Sequence, residues 1–261
     1  MAINGRNYGS SDPSMPKYSK DSLTTPSTAV NLGKVFGIMF IWLLFTAGIT
    51  IGLGYLFNAW LYPNGIRNPN AVGPMLGILI GSGIALIILT FIIQFFALRK
   101  GKGMVVLSSL YVLLMSVLCA SITLYIDWYI LGVALGITTL IFGVLAVIGL
   151  LAKNVKPIAM IGFMLIIGAG LTALITWLVI LIGGSRISNG MVTWLWIIDF
   201  AIFAGMLLMI IVDMAQIKRI CASGEVTTNL TLYCALTLYT DFVYIFLKIA
   251  YYLAIAYGKS K

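Results

Sequence analysis

The sequence predicts an all-α integral membrane protein with seven transmembrane helices, and three observations support this fold class. Hydrophobic residues make up 61% of the 261 residues and charged residues only 9%, whereas a soluble domain carries about 25% charged residues. The apolar residues are gathered in long unbroken runs, each long enough to cross a bilayer as a helix. These runs also lack the alternation of polar and apolar residues that transmembrane β-barrel strands show.

The first element is a polar segment at residues 1–30, which is rich in Ser, Pro, Thr, Asn and Lys. It contains too few apolar side chains to order itself, so we predict a disordered cytosolic tail. Residues 31–261 then form the transmembrane domain. The first apolar run starts near Val35 and is too long for the core of a cleavable signal peptide, so it is expected to remain as a membrane anchor.

Seven apolar runs follow one another along the transmembrane domain. Most connections are short, with the exceptions of residues 58–73 and the stretch after Lys218, and short connections favour antiparallel neighbours in a bundle. Glycines inside the runs predict close helix packing through small residues. The predicted spans are residues 35–57, 74–98, 104–126, 129–152, 159–183, 192–217 and 231–255, and these glycines are Gly77, Gly81, Gly83, Gly132, Gly136, Gly162, Gly168 and Gly170.

The distribution of basic residues predicts the orientation in the membrane. Lys and Arg residues outside the apolar runs are divided 11 to 4 between the two sides, which places the N-terminus in the cytosol and the C-terminus outside. Aromatic residues that favour the membrane interface gather at the predicted outer ends, and they are Trp60, Tyr62, Trp128, Tyr129, Trp194 and Trp196. The absence of histidine and the short C-terminal tail favour a bacterial plasma membrane.

The composition also argues against several functions. The net charge of +9 arises from basic residues scattered over the loops, which indicates the positive-inside bias rather than nucleic-acid binding. Cys119, Cys221 and Cys234 have no metal-site spacing, and we interpret them as free thiols. Without a histidine, a serine protease with a histidine base or a zinc metalloprotease is not expected. We predict no cofactor and no enzymatic activity.

Two aspartates lie inside consecutive apolar runs, Asp213 near the cytosolic end of span six and Asp241 within span seven. Acids inside a membrane are costly and usually mark a functional site. Their depths match only if the last helix starts near Tyr233 or if the sixth helix extends past Lys218. Two close carboxylates share a proton near neutral pH and release it on a modest pH change or when a cation arrives. The alternative is a protonated pair that only bonds the two helices together.

Three other polar residues in or beside the spans have two interpretations each. Arg99 ends span two on the cytosolic side, and it either reaches lipid headgroups or acts as a latch on the two aspartates. Asp199 lies fourteen residues before Asp213 on a similar helical face, where it lines an outer vestibule or reaches interfacial water. Lys248 either pairs with Asp199 or extends outward to the interface.

The segments that carry the aspartates resemble the Bax inhibitor motif family. Residues 235–246, Ala-Leu-Thr-Leu-Tyr-Thr-Asp-Phe-Val-Tyr-Ile-Phe, are similar to its C-terminal signature, and residues 213–218, Asp-Met-Ala-Gln-Ile-Lys, to its sixth-span pattern. Weaker matches lie at residues 34–36, 111–121 and 138–143. The resemblance covers roughly residues 32–257.

The resemblance implies a seven-helix fold in which the other six helices surround a central last helix. It also implies a calcium leak gated by pH, with Asp213 and Asp241 as the pH sensor and candidate calcium ligands and with Arg99 in contact with them. Calcium would be the permeant ion, and the implied partners are the lipid bilayer, calcium ions, protons and other membrane proteins. This chain has Gln94 in span two where bacterial members often have an acid. The candidate polar pore residues of this chain are Gln94, Asp199 and Lys248. Val212 also replaces a tyrosine that commonly precedes the first aspartate.

Alternative functions remain open on the sequence. A proton-coupled transporter would also use a titrating acid pair. An intramembrane aspartyl protease would place two aspartates on spans six and seven, but it would normally show Tyr-Asp, Gly-x-Gly-Asp and a later Pro-Ala-Leu. Here Val212 precedes Asp213, Thr240 precedes Asp241, and no proline follows Pro157. The chain could also act mainly by binding a partner protein within the membrane.

Overall fold

The computed structural model describes residues 26–63, 66, 68–97, 103–124, 126–183, 189–222 and 226–258, with side chains described from residue 30 onward except at 177–183 and 189–192. This part of the chain forms seven helices, each long and apolar enough to cross a membrane, and contains no β-strand. The helices are α1 Pro26–Leu61, α2 Pro69–Ala97, α3 Gly103–Ile122, α4 Trp128–Leu151, α5 Lys156–Gly183, α6 Asn189–Ala222 and α7 Thr228–Gly258. The predicted fold class is confirmed.

Short connections fix the direction of each helix. Four to seven residues separate one helix from the next, and seven extended residues reach at most about 25 Å. A hydrocarbon core is about 30 Å thick, so each helix has to begin on the side of the membrane where the previous helix ended. The end of α6 and the start of α7 therefore share one face, the predicted cytosolic face. We call this the inner end of the bundle, and the opposite face the outer end.

The last helix lies at the centre of the bundle, as predicted. It packs against α1, α2, α3, α4 and α6, and half of its most apolar stretch is buried, against 6% for α5. Tyr239 in the middle of α7 is fully buried. Its hydroxyl shares a 2.7 Å hydrogen bond with the Thr46 hydroxyl of α1, and its ring meets Trp42 edge-on at 6.2 Å. These contacts hold α7 in a fixed rotation.

The expectation that all six other helices surround α7 is wrong for α5. Among the described residues α5 packs extensively against α6 and has no substantial contact with α7. The contact is close, because a methyl group at Gly205 of α6 would lie 3.1 Å from the carbonyl oxygen of Gly162 and 2.9 Å from Cγ1 of Ile166 in α5. Small residues therefore allow the backbones to approach, and α5 forms an outer layer on α6.

Several helices extend beyond their predicted spans. Helix α1 begins at Pro26, within the segment predicted as a tail, since proline suits the first turn of a helix where its missing N–H is not needed. Residues 1–25 lie outside the described residues, so their disorder stays a prediction. Helix α6 continues past Lys218 to Ala222, and α7 begins at Thr228 rather than 231.

The prediction that glycines pack the helices together is confirmed at Gly162 and wrong at the other seven positions named for it. No other part of the described chain lies within 4 Å of where a Cβ would be at Gly77, Gly81, Gly83, Gly132, Gly136, Gly168 or Gly170. The spacing of small residues could not distinguish these positions, because lipid-facing and protein-facing sides of a membrane helix are equally apolar.

Candidate functional site

The two intramembrane aspartates lie on neighbouring helices at similar depth. Asp213 is nine residues before the end of α6 and Asp241 is thirteen residues after the start of α7. At 1.5 Å per residue these depths are about 14 and 20 Å, or about one helical turn apart. The extension of α6 past Lys218 produces this agreement. Whether the two carboxylates form a pair stays a prediction.

Asp241 differs from every other described polar side chain in one respect. Its Oδ2 atom is buried and has no hydrogen-bond partner, and it is the one such side-chain atom among the described residues. A buried carboxylate oxygen left without a partner is costly, and native structures rarely contain one without a reason. The atom marks a position where a proton, a water molecule or a cation would relieve that cost.

A cavity of about 200 Å³ connects Asp241 to α2 and α3. Its lining combines apolar residues with neutral polar side chains, and Asp241 provides its carboxylate. The lining residues are Thr90, Ile93 and Gln94 of α2, Tyr111 of α3, and Tyr233, Leu236, Thr237, Thr240 and Asp241 of α7. The candidate pore residue Gln94 therefore lies in the same cavity as Asp241.

Sequence analysis did not identify the polar residues of α7 that share this cavity. Tyr233, Thr237 and Thr240 lie eight, four and one residues before Asp241. The spacings of eight and four put Tyr233 and Thr237 on the helical face of Asp241, and Thr240 flanks it. This polar stripe beside an intramembrane acid is the signal that could have identified them.

Asp213 is held in place by a close contact between α4 and α6. A methyl group at Gly149 of α4 would lie 2.6 Å from Cβ of Met214 and 2.7 Å from the carbonyl oxygen of Ile211. Lys218, five residues beyond Asp213, donates a 2.8 Å hydrogen bond to the carbonyl oxygen of Leu150 at the end of α4. A cation suits a helix C-terminus, where carbonyl groups lack intrahelical partners. The contact and the bond together fix the position of α6 beside Asp213.

A third intramembrane carboxylate lies near the outer end of α6. One oxygen of Asp199 forms an ion pair with Lys248 of α7, and its other oxygen accepts a 2.8 Å hydrogen bond from the Tyr252 hydroxyl. We call these three residues the outer cluster. Asp199 also lines a cavity of about 370 Å³ between α5, α6 and α7. Of the two interpretations of Lys248, the structure therefore favours pairing with Asp199.

The remaining predicted site features have different outcomes. Arg99 lies outside the described residues, so its contact with the aspartates stays a prediction. No group of three or more Asp, Glu, Cys or His side chains within the described ranges could hold a metal ion. The three cysteines are free and buried. The aromatic residues predicted at the outer interface are all exposed, with Trp128 stacked on Tyr55 at 6.2 Å.

Comparisons with known proteins identify the family. The family model described as "Inhibitor of apoptosis-promoting Bax1" matches residues 29–258, which covers the seven helices except for the first three residues of α1. No curated protein and no solved structure matches the chain. The matched region contains both intramembrane aspartates, the cavity at Asp241 and the outer cluster. The chain is therefore a multi-pass membrane protein that belongs to the Bax inhibitor-1 family.

Proposed function

We propose that this protein is a pH-sensitive calcium leak channel in which Asp213 and Asp241 form the gate. The observation that carries the proposal is the buried Oδ2 atom of Asp241, which has no hydrogen-bond partner. Asp213 lies on the neighbouring helix at a similar depth. Membership of the Bax inhibitor-1 family supports an ion leak rather than an enzyme. The N-terminus is cytosolic in this proposal, so the two acids face the cytosolic half of the membrane.

The gate has two states. A proton neutralises the two acids in one state, and a cation does so in the other. Two neighbouring carboxylates in a low-dielectric site cannot both be ionised without a large free-energy penalty. A proton shared between them relieves the penalty, and a cation bound between them relieves it as well. Protons and cations therefore compete for the same oxygens, and the leak depends on pH.

The cavity beside Asp241 supplies ligands suited to a cation in transit. Calcium binds six to eight oxygens in a flexible arrangement, and the cavity offers the hydroxyls of Thr90, Thr237 and Thr240 and the amide oxygen of Gln94. Neutral oxygens bind calcium weakly, so the ion enters and leaves rather than remaining bound. Gln94 provides a neutral oxygen where an acid would hold the ion longer.

The test measures calcium flux in liposomes that contain a calcium-sensitive dye and the reconstituted protein. We expect a leak that changes between mildly acid and mildly alkaline pH. Asp213→Asn and Asp241→Asn are each expected to alter this pH dependence, because each variant leaves a single carboxylate that can exchange a proton in that range. Asp127→Asn is the matched control, because Asp127 precedes α4 outside the predicted spans and is expected to leave the pH profile unchanged.

Other results would contradict the proposal. No leak at any pH in this range would reject the channel. A flux that requires a proton gradient would instead indicate a proton-coupled transporter, and cleavage of a membrane peptide would indicate a protease. The latch at Arg99 is tested in the same assay, because a latch predicts that Arg99→Ala shifts the pH midpoint whereas a headgroup contact predicts no shift.

A further inference from the structure

The outer cluster lies on the same side of α6 and α7 as the two gating acids. Asp199 is fourteen residues from Asp213, and Lys248 is seven residues from Asp241. These spacings are close to four and two full helical turns, so each pair shares a helical face. The seam between α6 and α7 therefore carries two acids at its inner end and an ion pair at its outer end.

The outer cluster is fully bonded, in contrast to Asp241. Each carboxylate oxygen of Asp199 has a partner, Lys248 for one and Tyr252 for the other. The ammonium of Lys248 is thereby fixed beside α6 instead of extending to the membrane interface. Both oxygens of Asp199 are engaged, so a permeating cation would compete there with the ammonium of Lys248 and the hydroxyl of Tyr252.

Aromatic rings surround the cluster. Trp196 stacks on Tyr251 at 6.1 Å and lies at the same distance from Tyr252, and Phe203 meets Tyr252 edge-on at 5.6 Å on the inner side. The cavity of about 370 Å³ reaches Asp199 from the outer half of the bundle and is lined in part by Trp196 and Tyr251. The rings restrict movement of the ion pair and limit the space for water past it.

We propose that Lys248, held by Asp199 and Tyr252, closes the outer end of the cation route along α6 and α7 as a tethered ammonium. The inference rests on the proposed cation leak and identifies its second constriction. The ion pair has no net charge, and its ammonium occupies the carboxylate that would otherwise attract a divalent cation. Removing the ammonium is therefore expected to increase the leak, whereas a merely structural ion pair would reduce stability without increasing flux.

The test compares Lys248→Met with the double variant Asp199→Asn/Lys248→Met. Methionine keeps most of the length of the apolar stem, and the double variant leaves no unpaired carboxylate that could prevent folding. Lys248→Met leaves the carboxylate of Asp199 without its counter-charge and is expected to leak calcium about tenfold faster than the parent chain at constant pH, whereas the double variant removes both charges and is expected to stay near the parent rate. Lys248→Arg keeps the charge and is expected to restore the parent rate. Lys153→Met removes an exposed charge outside the helices and is the control.

A second measurement does not depend on the leak. Ile202 lies one turn inside Asp199 and lines the outer cavity, so Ile202→Cys reports whether water reaches past the cluster. In nanodiscs, a membrane-impermeant maleimide is expected to label this cysteine several-fold faster when Lys248→Met is also present. The three native cysteines are buried, so the chain without Ile202→Cys provides the background.

The outcomes separate the two proposals. If the parent chain leaks but Lys248→Met changes neither leak nor labelling, the outer closure is wrong and the proposed function stands. Faster labelling with a leak at the parent rate also overturns the closure, because the cluster then does not limit flux. If the parent chain shows no leak, the proposed function fails and labelling alone decides, with faster labelling supporting the closure and unchanged labelling rejecting it.

Discussion

Two carboxylates inside the same membrane have opposite surroundings. Asp199 bonds an ammonium and a phenol hydroxyl through its two oxygens, whereas Asp241 buries an oxygen that has no partner. A cation that binds Asp199 has to compete with these partners, whereas one that binds Oδ2 of Asp241 displaces none. The proposed gate needs an acid of the second kind.

The largest effect is expected when Asp213, one of the two proposed gating acids, is displaced, and Gly149→Leu would displace it. The new side chain would meet Ile211 and Met214 on either side of Asp213, which forces α4 and α6 apart. We expect a loss of stability of about 3 kcal/mol, at the upper end for overpacked interiors, and a change in the pH profile of the leak. Thermal unfolding in nanodiscs and the liposome assay measure the two effects.

The same helix provides the control for Gly149→Leu. Gly136 has no other part of the described chain within 4 Å of its Cβ position, so Gly136→Leu is expected to change stability by less than about 0.5 kcal/mol. Equal stability of the two variants would show that the α4–α6 contact does not hold Asp213 in place.

The two carboxylates can also be compared directly by neutralising each one. Asp199→Asn leaves Lys248 without its counter-charge and is expected to lower stability by about 2 kcal/mol, less than the 3–5 kcal/mol for fully buried pairs because both side chains are about 30% exposed. Asp241→Asn removes a charge that lacks a bond, so stability is expected to stay constant or to rise. Thermal unfolding at pH 7 measures both. If Asp241→Asn lowered stability more than Asp199→Asn does, the comparison would be wrong.

The sequence predicted more of the fold than of the site. Long apolar runs identify membrane helices because nothing else crosses hydrocarbon with its backbone bonded, so all seven spans were recognised. Asp213 and Asp241 were equally visible as acids within apolar runs. The pairing of Lys248 with Asp199 could not be decided, because it depends on how far α7 is rotated against α6. That rotation is set by contacts such as Tyr239 with Thr46, between residues 193 positions apart.

The peripheral position of α5 was hidden for a different reason. In a soluble bundle an exposed helix face is polar, whereas in a membrane it remains apolar, and the composition of α5 gives no indication of what it faces. Thr237 and Tyr233 could have been assigned to the site from their spacing to Asp241. The position of Gln94 beside Asp241 could not be predicted, because it depends on α2 and α7 sharing a cavity.

Lys218 and Lys248 are both cations near intramembrane acids, but Lys218 bonds a backbone carbonyl group whereas Lys248 pairs with a carboxylate. Its ammonium bonds the carbonyl oxygen of Leu150, so Lys218→Met is expected to lower stability by about 1 kcal/mol through one lost hydrogen bond. The exposed Lys153 lies close by beyond the end of α4, and Lys153→Met is expected to have no measurable effect. Thermal unfolding separates them. Equal effects would show that Lys218 acts through net charge alone.

The smallest effect is expected at Tyr252, whose hydroxyl supplies the second bond to Asp199. Tyr252→Phe removes that bond but keeps the ring against Phe203 and Trp196, and Lys248 remains paired with the other oxygen. Hydrogen bonds between membrane helices contribute about 0.6 kcal/mol on average, so a decrease of that size in stability is expected. Tyr251→Phe is the matched control, because Tyr251 contacts Trp196 through its ring. If Tyr251→Phe lowered stability by the same amount, the decrease in Tyr252→Phe could not be attributed to its hydrogen bond with Asp199.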